Sequence, residues 1–203
     1  DVPMAQAFLA AVNAIAADAT VRAVLLRGNG KGFMAGGDLA ILQADPLQGA
    51  ADLIGPLHEA VALLAKLDAP VVAQVHGVAA GAGLSLMLQA DFVLCAEGTR
   101  FNLAYVNIGA SCDVGASWAL PRWVGLRRAL DALNPAAFAA ADMKQLDLID
   151  AIVPADQRAK EGLLLPGHRP NDTVARWVAA ARRGVPGLAA PNGVYVCGSL
   201  KEE

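Results

Sequence analysis

Apolar and polar positions along the chain follow two alternating patterns. Residues 3–17 and 51–67 carry apolar side chains at helical spacing, which predicts two amphipathic helices with one buried face each. Between such segments lie continuous apolar runs of five or six residues, as in strands that are covered on both faces. Strands are predicted at residues 21–26, 71–75, 92–96 and 149–153. Further helices are predicted at about residues 81–89, 126–133, 139–146 and 173–182.

This alternation predicts the fold class. Helices and apolar strands that follow one another favour an α/β fold, with a mostly parallel sheet that is covered by helices. The chain has 203 residues and is 56% hydrophobic, which is enough for one domain with a large core. No internal repeat or linker is visible in the sequence.

Composition and charge narrow the class of protein. The net charge of −3 gives no electrostatic case for binding nucleic acid. No apolar run is long enough to cross a bilayer and no positively charged leader precedes an apolar segment, so a protein without membrane association is expected. The three cysteines, Cys95, Cys112 and Cys197, show no paired spacing, and reduced thiols in a cytoplasmic protein are expected. No spacing of histidines, cysteines or carboxylates is typical of a metal site.

Two glycine-rich segments, each after a predicted strand, carry the strongest functional signal. Residues 32–38 read GFMAGGD and residues 77–83 read GVAAGAG. Small residues at a strand end let a ligand approach the backbone and leave N–H groups free to bind it. Two such loops side by side can each donate one N–H to a single oxygen, as in an oxyanion hole. The alternative for either loop alone is a tight turn with close helix–strand packing.

In these segments the chain resembles the crotonase superfamily, which contains the enoyl-CoA hydratases and isomerases. The resemblance rests on three motifs in order, within residues 24–39, 69–83 and 108–125, and covers about residues 2–155. It implies a crotonase-like spiral of ββα units that binds an acyl-CoA thioester in fatty acid metabolism. Coenzyme A then belongs to the substrate, and no separate cofactor is expected. The resemblance also implies a homotrimer or a dimer of trimers.

The resemblance implies an oxyanion hole at the two glycine-rich loops. The thioester oxygen accepts one N–H from Gly37 and one from Ala82, and these donors stabilise the enolate that forms when a carbon next to the thioester loses a proton. The adenine end of coenzyme A lies along residues 35–39. The candidate substrate-binding residues are Ala35, Gly36, Asp38, Leu39, Gly81, Tyr105 and His58.

Two departures from the family change the expected chemistry. Hydratases of this family use two glutamates to activate water, and this chain has Ser85 and Tyr105 at those positions. Neither side chain is acidic enough to replace a carboxylate base near neutral pH. Asp113 is then the candidate proton shuttle, as in family members that move double bonds, which favours an enoyl-CoA isomerase over a hydratase. The alternative for Asp113 is an N-cap of the helix that follows it.

His58 is a second candidate for chemistry. The aryl-CoA dehalogenases of this superfamily carry a histidine at this position, beside a nucleophilic aspartate that aligns with Asp113. Those enzymes have a tryptophan where this chain has Tyr105. The alternative for His58 is a partly exposed helix histidine next to Glu59. Hydratase-like activity, dehalogenase-like activity and a catalytically degenerate acyl-CoA-binding subunit are the alternatives to the isomerase.

The resemblance also divides the chain. Residues 1–155 are predicted to form the crotonase-like acyl-CoA-binding core, and residues 156–203 a divergent C-terminal region of helix and loop. The family's N-terminal β-hairpin and C-terminal helices are not recognisable, so these parts are either outside this sequence or diverged. Residues 41–55 contain too little motif content to indicate the acyl chain.

Overall fold

Two β-sheets and the helices that cover them make up the part of the chain that the computed structural model describes, which is residues 1–21, 23–133 and 138–154 with the backbone of residues 194–197. The helices are α1 (Val2–Ala17), α2 (Leu39–Ala44), α3 (Pro46–Leu64), α4 (Ala82–Met87), α5 (Ala116–Val124), α6 (Leu126–Asp131) and α7 (Ala140–Gln145). The strands are β1 (Ala23–Arg27), β2 (Val71–Val75), β3 (Val78–Ala80), β4 (Phe92–Ala96), β5 (Arg100–Asn102), β6 (Phe138–Ala139), β7 (Ala151–Val153) and β8 (Val194–Cys197). A 3₁₀ turn spans Tyr105–Ile108.

The larger sheet has the strand order β7-β4-β2-β1-β8. Strands β1, β2, β4 and β7 are parallel, and β8 runs antiparallel to β1. Every residue of β2 is buried, as are the last four residues of β4. Such strands are covered on both faces, which explains why they appear in the sequence as almost wholly apolar runs, with the buried Gln74 as the polar residue of β2. The α/β architecture with a mostly parallel sheet is therefore confirmed.

Helices α1 and α3 pack against each other beside this sheet. Each begins at an aspartate whose side chain accepts a backbone N–H: Asp1 accepts from Met4 (2.9 Å) and Asp45 accepts from Gln48 (3.0 Å). A proline follows within the first two helical positions in both cases, where its missing N–H is not needed. The side chains that the two helices bury at helical spacing are Ala5, Phe8, Val12 and Ile15 of α1 and Leu53, Leu57, Ala60 and Leu64 of α3.

The smaller sheet has the strand order β3-β5-β6, and β3 lies within the second glycine-rich segment. β3 pairs in parallel with β5, and β5 pairs antiparallel with β6. These strands are two or three residues long, too short to produce a recognisable alternation of apolar and polar positions. The 3₁₀ turn that begins at Tyr105 follows β5, which ends at Asn102.

Element boundaries differ from the predicted ones mainly at the helices. β2 and β4 have the predicted bounds, and α1 starts one residue early. α3 begins at Pro46 rather than at residue 51 because Asp45 caps it, and it ends at Leu64 rather than at residue 67. Helix α2 and strands β3, β5, β6 and β8 are not among the predicted elements. The helix predicted at residues 173–182 lies outside the described residues.

The C-terminal region contributes to the core sheet, because β8 lies beside β1. The domain boundary after residue 155 stays a prediction. Within the described ranges, no helix is both long and apolar enough to cross a membrane. In the same part of the chain, no group of three or more histidine, cysteine or acidic side chains is arranged to hold a metal ion.

Candidate active site

The two glycine-rich segments lie side by side. The Met34 N–H donates to the Val78 carbonyl (3.2 Å), and the Ala80 N–H donates to the Met34 carbonyl (2.9 Å). Gly36 has a φ of 113°, and a Cβ added there would lie 3.4 Å from the Ala80 carbonyl oxygen. The backbones of the first loop and of β3 therefore form one continuous surface.

Gly83 marks the closest approach between the two segments. A Cβ added at Gly83 would lie 2.2 Å from the Met34 carbonyl oxygen, far inside a van der Waals contact. Gly81, just before α4, has a φ of 50°, a conformation that favours glycine. Steric contact between backbones thus fixes the start of α4 against the first loop.

The backbone N–H groups of Gly37 and Ala82 have no acceptor among the described residues. α4 begins at Ala82, and the Ser85 N–H donates to the Gly81 carbonyl (3.0 Å), so the Ala82 N–H precedes the first closed turn. Gly37 is exposed and Ala82 is buried. Two unused donors on adjacent loops suit an oxyanion hole. The role of this pair stays a prediction.

Asp113, Tyr105 and Ser85 form a hydrogen-bonded chain. The Tyr105 hydroxyl donates to Asp113 Oδ1. The same hydroxyl oxygen lies 2.7 Å from Ser85 Oγ, and Ser85 Oγ lies 3.2 Å from the Gly81 carbonyl oxygen. Ser85 is fully buried and Tyr105 is 6% exposed. The chain leads from the Asp113 carboxylate to the peptide group that carries the Ala82 N–H.

Burial governs the titration of Tyr105. Loss of hydration in the interior is the largest effect and raises the pKa of the phenol. The hydrogen bond to Asp113 and the charge of that carboxylate raise the pKa further, and the contact with Ser85 lowers it by less. The phenol therefore keeps its proton at neutral pH and acts as a donor toward Asp113. Burial, with a smaller effect of the same carboxylate, also raises the pKa of the Cys112 thiol.

The loop before α5 keeps Asp113 out of a capping position. α5 begins at Ala116 with Gly115 as its N-cap, and no side chain caps it. Asp113 offers this helix only its backbone carbonyl, which accepts the Ala116 N–H (3.1 Å). The interpretation of Asp113 as an N-cap is wrong, because its carboxylate is bonded to Tyr105 instead. Consecutive positive φ angles at Val114 (48°) and Gly115 (81°) produce this turn.

His58 lies beside the Asp113 loop. Its Nε2 accepts the Val114 backbone N–H at 3.0 Å, while the residue as a whole is exposed on α3. An imidazole nitrogen that accepts a hydrogen bond carries no proton, so this contact requires an unprotonated Nε2. His58 is thus more than a solvated histidine beside Glu59, and its Nε2 is already occupied as an acceptor. Its substrate-binding role stays a prediction.

The remaining candidate residues border the first loop. Asp38 Oδ1 accepts the Ala40 N–H (3.0 Å) and so caps α2. Leu39 begins that helix and is half exposed, Ala35 is exposed, and Gly36 is half-buried. These positions leave the loop backbone accessible, and their predicted contact with coenzyme A stays a prediction.

The contacts among Ser85, Tyr105 and Asp113 are the functional feature that sequence reasoning missed. The available signal was positional: Ser85 and Tyr105 stand where two glutamates of related enzymes act on one water molecule. Two positions that serve one molecule must lie close together, so their mutual contact could have been inferred. The bond from Tyr105 to Asp113 had no such signal.

Known proteins resemble this chain in sequence. A family model described as enoyl-CoA hydratase/isomerase matches residues 2–168. A 1,2-epoxyphenylacetyl-CoA isomerase of Escherichia coli strain K12 is 43% identical over 120 residues, covering 56% of this chain and 45% of that protein. A 4-chlorobenzoyl coenzyme A dehalogenase of an Arthrobacter species is 32% identical over 130 residues, covering 61% of this chain and 46% of that protein. The chain spans about half the length of these curated relatives.

Solved structures resemble it as well. The crystal structure of an enoyl-CoA hydratase from Mycobacterium avium subsp. paratuberculosis K-10 matches with a TM-score of 0.70 and 36% sequence identity. The match covers 77% of this chain and 62% of that one. The crotonase-like fold expected from the three motifs is therefore confirmed.

Proposed function

This chain belongs to the enoyl-CoA hydratase/isomerase family, and we propose that it is an enoyl-CoA isomerase in which Asp113 moves the proton. One observation carries the proposal. The Asp113 carboxylate is tied through Tyr105 and Ser85 to the peptide group of Ala82, beside the two glycine-rich loops. Tyr105 and Ser85 stand at the two positions that hold glutamates in hydratases of this family. Here the Tyr105 hydroxyl donates to the Asp113 carboxylate, and the Ser85 hydroxyl contacts the Tyr105 hydroxyl.

The chemistry follows from where charge develops. In a 3-enoyl-CoA, Asp113 removes a proton from C2, and the electron pair moves onto the thioester oxygen as an enolate. The N–H groups of Gly37 and Ala82 stabilise that oxygen, since fixed donors need little reorganisation. Asp113 then returns its proton at C4 as the double bond moves to C2 and the thioester carbonyl re-forms. Loss of one such donor typically costs about a hundredfold in rate.

Water addition is less well supported by this site. It needs a second group to activate water, and Ser85 is too weakly acidic for that task. Tyr105 holds its proton because burial and Asp113 both raise its pKa. His58 Nε2 is engaged by the Val114 N–H, so none of these three side chains is a free second base. A single mobile proton on one carboxylate matches an isomerisation, in which the proton leaves and returns.

The proposal includes assembly as a homotrimer or a dimer of trimers. Four large apolar side chains of α5 and α6 are more than half exposed: Trp118, Trp123, Leu126 and Leu130. Apolar surface of this kind on neighbouring helices supports contact with another protein surface. Light scattering at micromolar concentration tests this part, and a stable monomer would contradict it.

The test of the activity is a panel of enoyl-CoA thioesters with the double bond at C2 or C3, followed by chromatography and absorbance of the conjugated product. Asp113→Asn keeps the size of the side chain but removes the base. Turnover should fall about a hundredfold or more while acyl-CoA binding persists. Asp68→Asn makes the same change at an exposed position between α3 and β2 and is the control. Unchanged turnover in Asp113→Asn would refute the proposed base.

A further inference from the structure

The hydrogen-bonded chain that starts at Asp113 ends at a backbone carbonyl of the second glycine-rich segment. Ser85 Oγ contacts the Gly81 carbonyl oxygen at 3.2 Å. That carbonyl and the Ala82 N–H belong to one peptide group. The base and one proposed oxyanion donor are therefore connected through two hydroxyl groups and a single peptide.

The number of protons fixes how this chain is ordered. Each hydroxyl has one proton to donate and can accept as well. Tyr105 uses its proton on the Asp113 carboxylate. The proton of Ser85 is then the one left for both of its contacts, so it is shared between the Tyr105 oxygen at 2.7 Å and the Gly81 carbonyl oxygen at 3.2 Å, as a three-centre hydrogen bond. The order is Ser85 to Tyr105 to Asp113.

Burial of the two hydroxyl groups stabilises this order of hydrogen bonds. Ser85 is fully buried and Tyr105 is 6% exposed, so their hydroxyl groups have little access to water. A buried hydroxyl that loses its partner costs free energy, which holds the three side chains in one arrangement. Tyr105 occupies Oδ1 of Asp113, and Oδ2 is left for other contacts. A carboxylate held by one oxygen can present the other to a substrate.

We propose that Tyr105 and Ser85 are positioning residues: they hold Asp113 by Oδ1 and set its place relative to the Gly81–Ala82 peptide. The proposal rests on the function proposed above and deepens it. The two hydroxyl groups do not replace the missing glutamates as acids or bases. They orient the carboxylate that does the chemistry, because the Tyr105 hydroxyl donates to its Oδ1.

Tyr105→Phe is the direct test, because it removes the hydroxyl and keeps the ring. We expect kcat to fall about tenfold while acyl-CoA binding changes less than twofold, because the Tyr105 hydroxyl is already bonded to Asp113 and Ser85. Ser85→Ala should lower kcat by less, again with binding retained. Thr99→Val removes another buried hydroxyl, bonded to the Ala96 carbonyl, and should leave kcat unchanged.

A double-mutant cycle separates positioning from general damage. In the Asp113→Asn background, Tyr105→Phe should have little further effect on kcat, because its target is gone. Full additivity of the two changes would overturn the proposal. So would an unaltered kcat in a folded Tyr105→Phe protein.

A second readout does not depend on activity. The carboxyl carbon of Asp113, assigned by its loss in Asp113→Asn, can be observed by NMR in the wild type and in Tyr105→Phe at one pH. Its chemical shift should change in the variant, because the carboxylate loses the hydrogen bond from Tyr105, and an unchanged chemical shift would overturn the positioning role. If the chemical shift changes but no enoyl-CoA is isomerised, the proposed function fails while the positioning role stands.

Discussion

The starts of α4 and α5 hold the two halves of the candidate active site in different ways. At α4, backbone contact fixes the chain: a Cβ at Gly83 would lie 2.2 Å from the Met34 carbonyl oxygen. At α5, the turn that carries Asp113 is held by hydrogen bonds with two side chains: Tyr105 donates to the carboxylate, and His58 Nε2 accepts the Val114 N–H. One half is fixed by shape, and the other by polar contacts.

The two kinds of restraint differ in the substitutions that they tolerate. A steric fit is insensitive to pH but fails when one methyl group is added. A hydrogen-bonded turn accepts changes of volume but responds to the loss of a single donor or acceptor. The donors of the oxyanion hole need rigidity, whereas a base that releases and recovers a proton must be oriented without losing its basicity. Each half has the type of restraint that its proposed task requires.

The largest effect is expected at the steric half. Gly83→Ala forces the start of α4 away from Met34 and should lower the free energy of unfolding by about 2 kcal/mol. Turnover should fall with it, because the Ala82 N–H moves relative to Gly37. Urea denaturation and steady-state kinetics measure the two losses.

Gly55→Ala is the matched control for this change. Gly55 lies inside α3, and apart from its two chain neighbours no heavy atom lies within 4 Å of an added Cβ. The variant should change the free energy of unfolding by less than about 1 kcal/mol, because the better helix propensity of alanine is opposed by crowding of its Cβ against the ring of the next residue, Pro56. A Gly83→Ala protein as stable as Gly55→Ala would end the contrast between the two helix starts.

A medium effect is expected at the polar half. His58→Ala removes the acceptor of the Val114 N–H, and the free energy of unfolding should fall by about 1 kcal/mol. His58→Gln offers an amide oxygen that can accept the same N–H and should recover much of the loss. Thermal unfolding of the three proteins, with turnover measured alongside, checks this order. Equal stability of the alanine and glutamine variants would mean that the bond does not hold the turn.

The smallest effect concerns Cys112, next to Asp113. Its thiol pKa is raised by burial and, to a smaller extent, by the carboxylate charge, so alkylation at pH 8 should be slow compared with a free thiol. Asp113→Asn removes that charge, lowers the pKa of the thiol and should accelerate alkylation on the order of threefold. Mass spectrometry of the peptide that contains Cys112 measures the rate at this site. A slower reaction in the variant would contradict the assigned electrostatic effect.

The sequence predicts some parts of this protein well for physical reasons. β2 and β4 are buried on both faces, and their apolar runs give their exact bounds. The short strands β3 and β5 leave no such pattern, because three residues do not define an alternation. The start of α3 was placed too late because the cap at Asp45 precedes the apolar face of that helix.

The candidate site shows the same division. The loops at Gly37 and Ala82 could be identified because tight backbone approach demands small residues in consecutive positions. The bond from Tyr105 to Asp113 joins a 3₁₀ turn to a loop, and its geometry depends on the positive φ angles at Val114 and Gly115. This hydrogen bond could not be predicted from local sequence, because it depends on how β5 and α5 are placed relative to each other in the folded chain.

The pairing of β8 with β1 has a consequence for how the chain folds. Ala23 pairs with Cys197, so two segments separated by nearly the whole sequence meet in adjacent strands. Contacts between such distant segments form late, because the entropy of closing a long loop opposes them. During synthesis, β1 therefore has an unpaired outer edge until β8 emerges. An open strand edge can pair with another chain, so expression at low temperature or with a chaperone should raise the soluble yield.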